Sequence, residues 1–275
     1  MTAQTKLHIV RYFIELSYNG TLYSGWQEQP NAPTVQAALN KAFSILLHKT
    51  VFVVGAGRTD AGVHARFFVA HLEVDEVIEE IDFLIYKLNR LLHKSIAIHK
   101  IYLVEPKKNA RFSAVSRTYK YFINKTKDPF TCEFAIRVYP LPDVQRMNEA
   151  CSVLLEYTDF TSFTKSHTET KTNNCKLMYA SWEDEGNQLI FTITANRFLR
   201  NMVRAIVGTM ISVGQGKISI DELRQIIESK NRCNAGASVP GRGLFLWDVK
   251  YEENLQELHS HTGVLPPEYE ATETK

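Results

Sequence analysis

The 275-residue sequence has few of the features that mark membrane, secreted or disulfide-stabilised proteins. No run approaches twenty uninterrupted apolar residues, and the mean hydropathy is −0.21, so we predict no membrane span. The first residues contain no short apolar core followed by a small-residue cleavage site, which argues against secretion. The four cysteines are far apart and form no CxxC pair, which predicts reduced thiols in a cytoplasm and no zinc site: Cys132, Cys151, Cys175 and Cys233.

Composition places the chain among ordinary globular proteins. Hydrophobic residues make up 44% and charged residues 23%, so disordered and fibrous classes are excluded. A chain of 31.5 kDa can bury a substantial core without disulfides or metal. Its length fits one large domain or two closely associated smaller ones.

The charge is unevenly distributed along the chain. The net charge is only +2, but residues 252–275 hold six acids and one base, a net charge of −5. Residues 1–251 therefore hold 31 bases and 24 acids, a net charge of +7. A basic body is compatible with an anionic partner, although chance and a solvated acidic tail explain the same numbers.

Apolar periodicity predicts the same order of elements twice, β-α-β-β-α-β, which is the ferredoxin-like order. We predict an α+β fold in which two such halves share a mixed, largely antiparallel sheet with helices on one face. The expected divisions are residues 7–105, 106–251 and the acidic tail at 252–275. The first predicted helix starts after Pro33-Thr34, and four more are predicted at 81–92, 143–155, 197–212 and 219–229. The predicted strands include 10–18, 66–74, 96–104, 117–124, 176–183, 188–195 and 243–251.

The segment 51–65, VFVVGAGRTDAGVHA, is the most unusual in the chain. Three glycines within eight residues indicate tight turns or a close approach of the backbone to a ligand. A dinucleotide-binding loop is excluded because Asp60 replaces the third glycine of GxGxxG and a strand pattern follows. A phosphate-binding loop is excluded because Gly-Lys-Ser/Thr is missing.

One carboxylate, Asp60, remains as the candidate reactive group of this segment, with Arg58 two residues before it. A nearby arginine favours the ionised carboxylate, which suits a nucleophile or a base. The alternative is an ordinary turn aspartate. The motif has no second carboxylate, so glycoside hydrolysis by paired carboxylates is unsupported. His64 and His71 are interpreted as structural because their spacing is a weak metal signal.

A basic stretch with interleaved aromatic residues follows, from residue 106 to residue 127. Cations bind phosphates and aromatic rings stack on bases, so the mixture suits RNA or single strands. A strand with a solvated basic edge is the alternative. The basic residues are Lys107, Lys108, Arg111, Arg117, Lys120, Lys125 and Lys127, and the aromatic residues are Phe112, Tyr119, Tyr121 and Phe122.

A second basic group lies on the helix predicted from residue 197. Arg197, Arg200 and Arg204 are three and four residues apart, opposite a broad apolar face. Arginines in the first turns oppose the helix dipole. Contact with a phosphate, or with a carboxylate such as Asp60, resolves that conflict, and a plain solvated face is the alternative.

Several segments together resemble the TruA-type family of tRNA pseudouridine synthases over residues 9–251. GRTDAGVHA at 57–65 resembles the catalytic motif of the family, and YNGTLYSGWQ at 18–27 resembles its N-terminal segment. Further similar segments are Arg111-Phe112, RTYKY at 117–121, DFTSF at 159–163, NRFLRNMVR at 196–204, Val207-Gly208 and Gly243-Leu244. Departures from the family pattern include Asn19, Cys175 and Val239, and none is expected to touch a catalytic residue.

The resemblance implies the pseudouridine synthase fold and an isomerase that converts uridine to pseudouridine at positions 38 to 40, in the anticodon stem-loop of tRNA. It implies no cofactor, no metal and a homodimer in which one tRNA contacts both subunits. By resemblance Asp60 is the nucleophile, Arg58 assists base displacement and Tyr119 stacks on the target base and takes part in proton removal. Arg204 pairs with Asp60, and Leu244 packs against the ring. Lys108, Arg111, Arg197 and Arg200 are the predicted basic substrate contacts.

Two alternatives stay open from the sequence. The same chemistry on another RNA is one, and a non-catalytic RNA-binding protein of this fold is the other. The chemical route of Asp60 is also open, between attack on the sugar carbon, attack on the base and removal of a sugar proton.

Overall fold

The structure is a computed structural model that describes residues 9–165 and 172–252, which form nine strands and five helices. The first half contains β1 (Val10–Tyr18), α1 (Val35–Leu46), β2 (Val54–Gly55), β3 (His64–Val74), α2 (Ile81–Leu91) and β4 (Ile96–Val104). The second half contains β5 (Ala114–Asn124), β6 (Ile136–Arg137), α3 (Val144–Leu155), β7 (Leu177–Glu185), β8 (Gln188–Ala195), α4 (Met202–Gly214), α5 (Ile220–Glu228) and β9 (Leu244–Tyr251). The predicted acidic tail lies outside the described residues, except for Glu252.

All the strands belong to one sheet with the order β4-β1-β3-β9-β5-β8-β7, and the short β2 and β6 pair with β3 and β5. Most neighbours are antiparallel, but β9 runs parallel to β3 at the centre, where His64 lies opposite Phe245 and Ala65 opposite Leu246. The last strand of the second half thereby joins the two halves. The predicted α+β fold with a mixed, largely antiparallel sheet is confirmed.

Each half has its own hydrophobic core. In β1 the alternate residues Tyr12, Ile14 and Leu16 are buried in one cluster with Leu39 and Phe43 of α1. Apolar residues at every second position bury one face of a strand, and apolar residues at every third or fourth position bury one face of a helix. Large side chains of this kind stabilise the fold by about 2 kcal/mol each when fully buried. Each half is therefore held together by a core of its own.

The second core follows the same pattern in the other half. Phe191 and Ile193 of β8 are buried with Met147 of α3 and Ile206 of α4. Tyr119 of β5 packs against both cores. This tyrosine therefore lies at the boundary between the two halves.

The start of α4 corrects one prediction. A helix was predicted from residue 197, but α4 begins at Met202, because Asn201 before it has a left-handed backbone with φ of 66°. Arg197 and Arg200 therefore lie in a non-helical segment and share no helical stripe with Arg204. The apolar residues of this segment are needed for packing, because Leu199 is buried and Phe198 contacts Tyr119.

The other predicted elements that the structure describes agree with it to within about three residues. Ser219 and Glu222 form the predicted capping box of α5, with both hydrogen bonds present. All four cysteines are free. In residues 9–165 and 172–252, no helix is long and apolar enough to span a bilayer, and no group of three His, Cys, Asp or Glu side chains is arranged for a metal ion.

Candidate active site

Asp60 begins a tight turn that the local sequence requires. The Val63 N–H donates a hydrogen bond to the Asp60 carbonyl over 3.2 Å, which closes a four-residue turn. The third residue of that turn is Gly62, with φ of 72°, a conformation that glycine adopts without steric cost. The sequence Asp-Ala-Gly-Val therefore sets the position of the carboxylate at the entrance to β3.

The N-terminal segment holds this turn from the other side. The Trp26 N–H donates to the Thr59 carbonyl over 3.2 Å, and the Tyr18 and Thr59 hydroxyls lie 2.9 Å apart. Gly25 has φ of 103°, and a side chain there would place its Cβ 2.4 Å from the Thr59 carbonyl oxygen. Only glycine therefore permits this close contact with the backbone next to Asp60.

Asp60 forms an ion pair with Arg204 across the boundary between the two halves. Arg204 Nη1 lies 3.0 Å from Asp60 Oδ2, and the side chains are only 21% and 25% exposed. Arg204 Nε also donates to the Val239 carbonyl over 2.7 Å, so Val239 does touch a proposed catalytic residue, contrary to expectation. The carboxylate explains an arginine in the first turn of α4, where the helix dipole disfavours it.

Tyr119 lies at the same boundary, where its ring meets Phe198 edge-on with centroids 5.1 Å apart. Burial raises the pKa of Tyr119 to about 12, the Arg117 guanidinium opposes this increase, and the Asp60 carboxylate adds to it. Among the described residues no group hydrogen-bonds to the Tyr119 hydroxyl. The side chain is therefore a neutral phenol at physiological pH, close to the Asp60 charge.

The predicted basic residues do not all reach this boundary. Burial lowers the pKa of Arg111, and the positive charges of Arg58 and Arg197 lower it further. Lys108 instead has its charge near the Glu105 carboxylate. Arg200 is exposed in the segment before α4.

The predicted base-stacking residues separate into different environments. Tyr121 is fully buried and donates to the Pro240 carbonyl over 2.9 Å. Phe122 packs against Phe245 and Trp247. Phe112 is 79% exposed and carries the Arg111 guanidinium over its ring. Of this group, Phe112 is the exposed residue and Tyr119 is partly buried between the two cores, and their predicted stacking on bases stays a prediction.

Leu244, the predicted contact of the target ring, is only 5% exposed at the first position of β9. It lies opposite Tyr121 in the sheet and belongs to the core of the second half. The structure therefore places Leu244 beside a core tyrosine, and its predicted contact with the base stays a prediction.

The two histidines of the motif region have structural partners. His64 Nδ1 accepts from the Gly20 N–H over 3.0 Å, which leaves Nε2 to donate to the Arg242 carbonyl over 3.1 Å. His71 Nδ1 accepts from the Ala110 N–H over 3.2 Å, and burial lowers the pKa of His71 to about 4. Both side chains are neutral and anchor loops.

Composition and spacing missed three residues that support the site. Tyr18 and Gly25 lie in the segment 18–27, whose only signal was its resemblance to the family. Arg117 was counted within a basic stretch, but its guanidinium is bound to backbone carbonyls and is not free for a phosphate.

Comparisons with known proteins identify the family of this chain. A family model described as tRNA pseudouridine synthase matches residues 151–252. A tRNA pseudouridine synthase A from Parabacteroides distasonis is 56% identical over 89% of this chain and 97% of its own length. The one from Bacteroides fragilis is 50% identical over 91% of this chain and 100% of its own length. The one from Bacillus subtilis is 40% identical over 86% of this chain and 97% of its own length. The chain therefore belongs to the tRNA pseudouridine synthase A family.

Proposed function

We propose that this chain modifies uridines at positions 38, 39 and 40 in the anticodon stem-loop of tRNA, with Asp60 as its nucleophile. Membership of the family makes the chain an isomerase that forms pseudouridine in tRNA. The main support for Asp60 as the nucleophile is its ion pair with Arg204, which forms near Tyr119 at the boundary of the two halves.

The reaction needs no external oxidant or reductant, because its atoms balance. The bond between N1 of uracil and C1′ of ribose breaks, the uracil rotates, and C5 forms the new bond to C1′. C5 loses its proton and N1 gains one. The protein must therefore supply a group that stabilises the separated sugar and base, and a route for the C5 proton.

Asp60 is suited to the first role. Its Oδ2 is held by Arg204, whereas within the described part of the chain Oδ1 accepts no hydrogen bond. A fixed carboxylate with one open oxygen reacts without reorganising its surroundings. Attack on C1′, attack on the base and removal of a sugar proton all use this same oxygen, so the assignment of Asp60 is common to the three routes.

The remaining residues act on the base. A uridine within a stem-loop must leave its stack to reach Asp60, and we propose that Arg58, which is exposed two residues before it, enters the vacated space. Tyr119 stacks on the everted uracil, and its neutral hydroxyl takes part in moving the C5 proton. Leu244 packs against the ring.

We also propose a homodimer that acts in the cytoplasm, in which one tRNA contacts both subunits. The support for this assembly is the resemblance to the family over residues 9–251. Light scattering of the purified chain, alone and with tRNA, tests the stoichiometry. A monomer that stays monomeric on the tRNA contradicts this assembly without affecting the assignment of Asp60.

Pseudouridine mapping tests the proposed substrate. We expect cells lacking this chain to lose pseudouridine at positions 38–40 and to regain it when the native gene is restored. Loss at other tRNA positions would overturn the proposed sites. Modification of another RNA alone, or RNA binding without any modification, would favour the two alternatives that the sequence left open.

Replacing Tyr119 with phenylalanine should slow turnover by about 10²-fold and leave tRNA binding nearly unchanged. The ring still stacks on the base, but the hydroxyl that moves the proton is lost. Single-turnover rates at saturating enzyme, measured beside filter binding, separate the two effects. Tyr121→Phe removes a hydroxyl from the same strand face that only bonds to Pro240, so it is the matched control. An unchanged rate in Tyr119→Phe would contradict the proton role.

A further inference from the structure

A single guanidinium ties together three distant segments of the chain. Arg117 donates to the carbonyls of Ala114 and Asn196 through Nη1, over 2.9 and 2.8 Å. Through Nη2 it donates to those of Ala56 and Arg111, over 3.0 and 2.5 Å. Arginine alone presents a planar set of donors able to reach four acceptors in this way.

The segments joined by Arg117 carry three other arginines, Arg58, Arg111 and Arg197. Ala56 lies two residues before Arg58, and Asn196 lies directly before Arg197. Arg111 is itself one of the four acceptors. The partly buried Arg117 has no carboxylate partner among the described residues, so its charge is balanced by carbonyl dipoles.

The three arginines brought together by this arrangement also lack an acidic partner. Within residues 9–165 and 172–252, no carboxylate forms an ion pair with Arg58, Arg111 or Arg197. Their mutual repulsion opposes the native arrangement, which is the kind of local conflict expected at a functional site, and an anion bound between them would relieve it. An RNA phosphate fits, since guanidinium groups bind phosphate oxygens in pairs.

We propose that Arg111 and Arg197 bind one phosphate of the RNA backbone beside the everted nucleotide, and that Arg117 positions both arginines. The inference rests on the proposed function, since it places the everted uridine at Asp60. Eversion turns a nucleotide about its own backbone, so a phosphate fixed close to Asp60 is the pivot of that motion. Arg58 stays free to enter the stack.

The salt dependence of binding tests whether the two arginines share a phosphate. The slope of log Kd against log salt counts the phosphates neutralised, at about 0.7–0.9 for each. We expect Arg111→Gln and Arg197→Gln each to reduce the slope by the amount that corresponds to one phosphate. The double variant should reduce it by that same amount and no more. A reduction by twice that amount in the double variant would assign the arginines to separate phosphates and overturn the shared site.

Arg117→Lys tests the positioning role. Lysine keeps the charge but cannot reach four carbonyls, so we expect the slope to fall by the same amount with Arg111 and Arg197 intact. Adding Arg111→Gln to Arg117→Lys should then change the slope no further. Arg146→Gln, on the face of the second half formed by α3, is the control and should leave the slope unaltered. An additive effect of the two substitutions would overturn the positioning role.

Hydrogen exchange separates this role from a general loss of stability. In Arg117→Lys we expect faster exchange at 56–60, 107–113 and 196–200 and unchanged protection in β1 and β3. Arg117→Gln serves as a second variant and should mobilise the same segments. Unchanged exchange at the three segments, or equal loss of protection in β1, would contradict the proposal.

The same measurements distinguish failure of this inference from failure of the proposed function. If the native chain modifies none of positions 38–40, the proposed function is wrong whatever the slopes show. If the native chain modifies them and the variant slopes add, only the shared phosphate site is wrong.

Discussion

Asp60→Asn should lower the rate of pseudouridine formation by about 10⁴-fold or more, in line with removal of a catalytic nucleophile. The amide is isosteric and can still accept a hydrogen bond from Arg204, so the fold of the turn is kept. It carries no negative charge, however, and is a poor nucleophile and base. We expect tRNA binding to be unchanged or slightly tighter, because a negative charge near the RNA backbone is removed. Single-turnover modification of tRNA, with enzyme in excess, measures the effect.

Asp75→Asn is the matched control for this substitution. Asp75 forms an exposed ion pair with Lys49 just after β3, at the opposite end of that strand from Asp60, so its loss should leave the rate unchanged. Circular dichroism and thermal unfolding should show both variants folded. Asp60→Asn at a normal rate would remove Asp60 from the mechanism, whatever its position in the motif.

Arg204→Gln should reduce the rate by about 10²–10³-fold, as expected when a preorganised charge partner of the reacting group is lost. The substitution removes the contact with Asp60 Oδ2 and the hydrogen bond to the Val239 carbonyl together. The carboxylate is then free to rotate, and its position relative to the sugar is no longer fixed. Arg204→Lys should retain part of the rate, because the charge remains but the second hydrogen bond is lost. The rates are compared in the same single-turnover assay.

Arg224→Gln provides the control for Arg204. Arg224 forms an exposed, two-point ion pair with Glu156 on the surface of the second half. Exposed ion pairs contribute little to stability, so the fold and the rate should be retained. A rate in Arg204→Gln equal to that of the native chain would mean that Asp60 is positioned by other groups.

Periodicity and turn chemistry predicted most of the fold because the corresponding forces are local. The alternation in β1 and the capping box of α5 depend on residues within a few positions of one another. The turn of Asp60 was recognised as a special loop for the same reason, since Gly62 is required by its backbone conformation. In these places the residue types alone are enough to predict the local structure.

The start of α4 and the role of Arg117 depend on distant contacts instead. Phe198 and Leu199 continue the apolar period of α4 in the sequence, but they are not part of the helix. They are apolar because Phe198 packs on Tyr119 and Leu199 lies in the core. Asn201 adopts a left-handed backbone there, which asparagine tolerates better than most residues, but one asparagine within an apolar helical period does not by itself predict a break. Arg117 binds carbonyl groups, which every residue possesses, so its partners could not be read from the sequence.

The parallel pair of β9 with β3 also bears on the order in which the fold is completed during synthesis. Asp60 and Arg204 are 144 positions apart, and the strand that joins their halves is made after both. Until residues 244–251 have left the ribosome, β3 and β5 present open edges, which are prone to pairing with other chains. Pairing of β9 with β3 and β5 covers these edges. We therefore expect the two halves to be joined, and Asp60 and Arg204 to meet, only after the last strand has been synthesised.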